Sequence, residues 1–201
     1  MQVIDIIFKV VILIMSVVIH EISHGYAAKY CGDETAERAG RLTLNPLKHI
    51  DPIGSVAVPF IFALTTNGGI FGWARPVPYN PANLRDRKWG TVIVASAGVI
   101  SNFILAIVLG LIIRFFPVTD SFKGILEMIV FINILLGFFN LIPIPPLDGS
   151  KILFSFLSYK YRKVEIFLEQ YSIFVLLFFI FFLWQYFAPL IYVIFHFITG
   201  V

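Results

Sequence analysis

The chain has 201 residues, of which 59% are hydrophobic and 13% charged, with a formal net charge of +3 and a mean hydropathy of +0.90. These values exclude an ordinary soluble globular domain and indicate an integral membrane protein with room for a single domain, 1–201. There is no basic patch to bind nucleic acid, and the lone Cys31 excludes an intramolecular disulfide and a cysteine-rich zinc site.

Val3 to Ile19 is a nearly unbroken apolar run. Continued as a helix through the residues that follow, it reaches the roughly 20 residues that a membrane span needs. Asp5 and Lys9 stand where a signal peptide would have a basic region, and no small-residue cleavage site follows, so a retained span is expected. The run ends in His20-Glu21-Ile22-Ser23-His24. Positions i and i+4 share a helix face, so two neutral imidazoles can close on one metal ion with Glu21 beside it. This is a zinc-hydrolase pattern: the metal lowers the pKa of a bound water and the carboxylate takes its proton. A chance occurrence at a helix surface is the bland reading, but ionisable residues at the end of a lipid-like stretch are functional candidates by default. A third protein ligand must come from elsewhere.

Cys31 to Arg41 is polar, and the Pro46 and Pro52 steps with Gly54 predict loops and turns. Ile53 to Leu64 is apolar but short for a span, which suits a re-entrant or interfacial segment. Ile70 to Pro81, with Pro76, Pro78 and Pro81, is expected to be extended and hairpin-like at the membrane surface. Thr91 to Phe116 is a clear span whose Ser96, Gly98 and Ser101 permit close packing, while the Asn102 amide needs a polar partner. That partner is either a neighbouring helix or the active site.

Gly124 to Ile142 is the next span, and it runs into Asn140-Leu141-Ile142-Pro143-Ile144-Pro145-Pro146-Leu147-Asp148-Gly149. Three prolines break the helix at a depth where free backbone groups are tolerated only against protein or a wet cavity, which marks a site with Asp148 as its carboxylate. Tyr159 to Lys163 reads as a basic turn, and Ile173 to Phe195 as a Phe-rich last span with a kink expected at Pro189. His196 is expected to be an end-of-helix residue and not a ligand. The fold class is therefore all-α membrane protein, with about four transmembrane helices, a re-entrant or interfacial segment and a small β-hairpin-like region.

If His20, His24 and Asp148 form one site, their two spans run in the same direction with Thr91 to Phe116 returning between them. That arrangement puts twelve Lys and Arg residues on the side of the site and leaves Arg114 and Lys123 opposite. The positive-inside bias then places the site toward the cytoplasm and the N-terminus outside.

The motifs HEISHG at His20 to Gly25, GRLTLNPLKHIDPIGS at Gly40 to Ser55, FGWARPVPYNP at Phe71 to Pro81, the Ala97-Gly98 to Asn102 segment and NLIPIPPLDG at Asn140 to Gly149 occur in order over nearly the whole chain. In these the chain resembles the site-2 protease family of intramembrane zinc metalloproteases, peptidase family M50, and its compact bacterial and archaeal branch in particular. The resemblance implies that His20, His24 and Asp148 ligate one Zn²⁺, that Glu21 is the catalytic glutamate and that Asn140 holds substrate or a bound oxygen. It implies transmembrane protein substrates cut within or beside the lipid of a prokaryotic cell membrane, and no regulatory PDZ or CBS domain. Ser150 departs from the Asp-Gly-Gly of many relatives.

The oxyanion is assigned to the metal, with Asn102 or Asn140 as further donors. The Ile70 to Pro81 region is a candidate edge for strand addition by an unwound substrate, although Pro76 and Pro78 remove donors. Two rival readings use the same ligands: a zinc-binding membrane scaffold that does not cut, and a metal transporter. Glu21, which no scaffold needs, argues against the first. The scarcity of polar residues along the outer halves of the spans argues against the second.

Overall fold

A computed structural model describes residues 3–51 and 75–201. Its elements are helical: α1 (Val3–Tyr30), α2 (Thr35–Arg38), α3 (Arg87–Phe115), α4 (Asp120–Asn140), α5 (Asp148–Phe156), α6 (Arg162–Gln170), α7 (Ser172–Phe178) and α8 (Trp184–Thr199). Four stretches are long and apolar enough to cross a membrane: Ile7–Tyr30, Arg87–Phe115, Asp120–Asn140 and Ser172–Thr199. These correspond to the four spans expected from the sequence. The expected re-entrant segment, Ile53 to Leu64, lies outside the described residues.

The helix α3 is the centre of the bundle, packing against α1, α4, α5 and α8. Its buried residues explain why. Gly90, Val94, Gly98, Asn102, Ala106 and Gly110 recur at every fourth position, forming a row of mostly small side chains into which neighbours can press. Asp86 opens the helix by accepting the Trp89 amide at 2.9 Å, which satisfies one of the donors left free in a first turn. Away from the site, Ala106 and Ile113 of α3 pack with Leu126, Val130 and Ile134 of α4 and Ile191 of α8.

The α7–α8 span faces outward with its aromatics, Phe174 at 71% exposure and Phe181 at 70%. Lipid is the medium that suits such a face. The chain runs through Pro189 inside α8, and the irregularity falls upstream as a π-helical turn at Phe179–Leu183.

Three local expectations are corrected. No strand occurs among the described residues, so the hairpin-like region is not seen: residues 75–80 form no regular element, and residues 70–74 lie outside the described residues. The reason is that their amides are taken by side chains and loop carbonyls, as described below. The basic stretch at Tyr159 to Lys163 is only partly a turn, because Arg162 opens the nine-residue amphipathic helix α6. The proline-rich break is also shorter than it reads, since Asp148 already belongs to the first turn of α5.

Candidate metal centre and active site

His20 and His24 lie one turn apart on α1, and Asp148 is brought to them by the break between α4 and α5. All three are buried, at 5%, 8% and 4% exposure. The three donor atoms make a triangle: His20 Nε2 and His24 Nε2 are 3.0 Å apart, and each is 3.0 Å from Asp148 Oδ2. Among the described residues, these three form the one group of His, Cys, Asp or Glu arranged to hold a metal ion. His196 is elsewhere, as expected.

The outer nitrogens decide what the triangle can bind. His24 Nδ1 lies 2.6 Å from the Val94 carbonyl, which can only accept, so Nδ1 carries the proton and Nε2 presents a lone pair. His20 Nδ1 lies 2.8 Å from Asn102 Oδ1, which imposes the same tautomer. Two bare imidazole nitrogens and a carboxylate oxygen therefore face one another. A cation must sit among them, and whereas a proton bridges only one pair, a metal ion satisfies all three. For zinc, with bonds of about 2.0–2.2 Å to N and O ligands, tetrahedral ligand separations are about 3.3 Å, close to this triangle. The donor set fits zinc with a fourth position open.

Val94 and Asn102 are both on α3, one turn to either side of Gly98. A Cβ on Gly98 would lie 2.6 Å from His20 Cε1 and from His24 Nε2. The helix that donates no ligand thus holds both rings and leaves space for them by lacking a side chain between its two contacts.

Glu21 opens into the same cavity of about 130 Å³, together with Asn140 and Lys151. Its Oε2 accepts the Val77 amide at 2.8 Å. Around that contact the 75–80 segment is strapped to the rest of the protein. The Arg75 amide donates to the His49 carbonyl at 2.8 Å, Arg41 Nη2 donates to the Arg75 carbonyl at 2.8 Å, and the Asn80 amide donates to Asp33 Oδ2 at 2.6 Å. The amides of 75, 77 and 80 are thus taken, Pro76 and Pro78 have none, and the Pro76 carbonyl also accepts from Arg41, which leaves a poor template for strand addition.

Lys151, which the sequence reading passed over, donates from Nζ to Asp148 Oδ1 at 3.0 Å. Burial works against both charges, but the neighbours outweigh it. The Lys151 charge favours the ionised form of Asp148, whose carboxyl lies below the usual carboxylate range, and Asp148 in turn raises Lys151. Oδ1 is thereby occupied and Oδ2 is left to the metal. Asn102 is found beside His20. Asn140 reaches the cavity wall, with its amide donating to Leu136 O at 3.0 Å. Gly98, Val77 and Lys151 were missed. Lys151 carried the one available signal, a cation one helical turn beyond a candidate ligand.

The model of the family described as "Peptidase family M50" matches residues 8–123 and 117–183. The chain belongs to that family. It is a zinc metallopeptidase of the site-2 protease type, as the motifs implied. Two similar proteins carry the name "Putative zinc metalloprotease": YwhC of Bacillus subtilis (strain 168), 37% identical over 73% of this chain and 67% of its own length, and Rip2 of Mycolicibacterium smegmatis, 33% identical over 68% of this chain and 52% of its own. Zinc metalloprotease MJ0392 of Methanocaldococcus jannaschii is 30% identical over 77% of this chain and 36% of its own length. The matches thus span about one third to two thirds of these relatives. No solved structure matches.

Proposed function

We propose that this chain hydrolyses peptide bonds in or beside the transmembrane segments of membrane proteins, with His20, His24 and Asp148 as zinc ligands and Glu21 as the catalytic base. One observation carries the reading. The ligand triangle shares its cavity with a carboxylate that is not a ligand, and that cavity lies against the C-terminal half of span α1 and the break after span α4.

When bound, zinc supplies Lewis acidity to the scissile carbonyl and to a water. Glu21 accepts the proton of that water and delivers it to the leaving amine. The Val77 amide holds the Glu21 carboxylate in one orientation toward the cavity, and Lys151 keeps Asp148 turned so that a single oxygen faces the donors. Asn140, on the cavity wall, is placed to contact the substrate backbone. Asn102 is spent on His20, so it orients a ligand instead of donating to an oxyanion. A helical substrate hides its amides and must unwind to present a carbonyl here. The charge asymmetry supports a site toward the cytoplasm, the bacterial and archaeal sources of the similar proteins support a prokaryotic cell membrane, and reporter fusions to the loops on either side of α3 would read the topology.

The test is cleavage of a panel of tagged single-span proteins by purified protein in liposomes, comparing wild type, Glu21→Gln and a chelator-treated sample, with zinc measured on each. Cleavage by wild type alone, with zinc retained in Glu21→Gln, is the expected result. A Glu21→Gln protein that cut as fast as wild type would refute the assignment of the base.

A further inference from the structure

We propose that Asn133, acting through Asn102, fixes His20 in the tautomer that ligates metal, which makes Asn133 a positioning residue for the centre although it touches neither ligand nor substrate. The inference rests on the metal-centre reading above.

Asn133 lies on α4 and is fully buried, with Ser16 of α1 at 2% exposure and Asn102 of α3 at 1% beside it. Its Nδ2 spends both hydrogens, one on the Ile129 carbonyl at 2.8 Å and one on Ser16 Oγ at 2.9 Å. The first contact sets the polarity of everything that follows. A backbone carbonyl cannot donate, so a reversed Asn133 amide would set oxygen against oxygen. With Nδ2 so placed, Oδ1 must face Asn102, and it accepts from Asn102 Nδ2 at 3.1 Å. Asn102 then has only its oxygen left for His20, and an oxygen there requires the proton on His20 Nδ1. The His20 Nε2 lone pair is the result.

An α4 carbonyl therefore dictates the protonation pattern of an α1 ligand through two buried amides. Helix-to-helix adhesion alone would be served by either polarity. Freed from Asn133, Asn102 could turn and offer its NH₂ to His20 Nδ1, which would put the proton on Nε2 and block ligation. His24 has its own carbonyl, Val94, and is the internal control.

The experiment loads purified protein with Co²⁺ in detergent. It reads the binding constant and the solvent-exchangeable, hyperfine-shifted proton resonances of the ligand rings. Wild type is expected to show two, one per imidazole Nδ1–H. Asn133→Leu, close in size but without an acceptor, should lose or broaden one resonance while the other persists, and should bind Co²⁺ about 10–100-fold more weakly, the range typical of lost outer-sphere partners. Asn133→Asp, protonated so that its O–H takes the place of the Asn133 NH₂ toward the Ile129 carbonyl, keeps an acceptor oxygen for Asn102 and should retain both resonances and most of the affinity. Two intact resonances and unchanged affinity in Asn133→Leu would overturn the relay. So would equal damage in the Leu and Asp variants, since that is the mark of a merely structural residue. His24→Ala should not bind. Failure of wild type to bind, or binding by His24→Ala equal to wild type, would instead overturn the metal-centre reading and the relay with it.

Discussion

Gly98→Ala adds a single methyl group, and its effect can be worked out from the coordinates. The new Cβ would lie 2.6 Å from His20 Cε1 and from His24 Nε2, and 2.7 Å from His20 Nδ1, whereas ordinary contact begins at 3.4 Å. Something must open by about 0.8 Å, several times the roughly 0.2 Å within which ligand distances must hold. The rings cannot simply withdraw. Their outer nitrogens are tied to Val94 and Asn102 of the same helix, at 2.6 and 2.8 Å, so retreat stretches both bonds. We expect zinc affinity to fall by about 100-fold, the upper end of what outer-sphere damage does, because here a donor atom is itself displaced. Competition against a fluorescent chelator in detergent measures the affinity, and thermal unfolding of the metal-free protein serves as the control. Alanine favours helix over glycine by about 1 kcal/mol, so a weakened α3 cannot account for the loss. A Gly98→Ala protein with wild-type zinc affinity would show that the imidazoles do not lie against α3 as described.

Replacing Lys151 by Leu removes the charge-assisted bond to Asp148 Oδ1, and zinc affinity should fall about tenfold while Lys151→Arg stays near wild type; metal titration distinguishes the two. Gly149→Ala would drive a methyl into the Leu141 carbonyl, so the turn that delivers Asp148 should be destabilised by about 2 kcal/mol, visible as a lower melting temperature in detergent. Asp33 gives a pH-dependent prediction outside the membrane. Burial raises its pKa, but hydrogen bonds from Thr35, Asn83 and the Asn80 amide outweigh this and hold it below the usual value. The ionised group therefore stabilises the fold at pH values above the ordinary Asp pKa of about 3.9, and that contribution disappears as pH falls from there through the lower folded value. Melting curves of wild type and Asp33→Asn should differ most near neutrality and converge below about pH 4; a gap that widened with acid would refute the assignment.

The histidine pair was legible because its chemistry is local, an i, i+4 spacing on one helix, and the proline run marked Asp148 as a site carboxylate, whereas its union with the pair came from the family resemblance. The four spans were legible locally as well, through length and hydropathy. The described residues that escaped are those defined by what crosses from one helix to another. Asn133 sits in an apolar run like Asn102, but its partners Ser16 and Asn102 are 117 and 31 residues away, so nothing nearby distinguished it from packing. Gly98 was noted as a small packing residue, and only the position of the rings shows that it accommodates two ligands. Ile70 to Pro81 was expected to be hairpin-like, and of it residues 75–80 pair with no strand among the described residues. They stay unpaired because Glu21, Asp33 and the His49 carbonyl take their amides, and those partners lie in three separate parts of the chain. The short helices α5 and α6 fell below the length at which periodicity can be read.

The spacing of the site along the chain has a consequence during synthesis. Asp148 is 128 residues beyond His20, and the α3 contacts that fix the rings come 70 and 82 residues after the histidines they hold. A ribosome therefore delivers α1 into the bilayer with both imidazoles unsupported, and the metal centre cannot be completed until Asp148, about three quarters of the way along the chain, arrives. The centre is therefore assembled only after three of the four spans have been made.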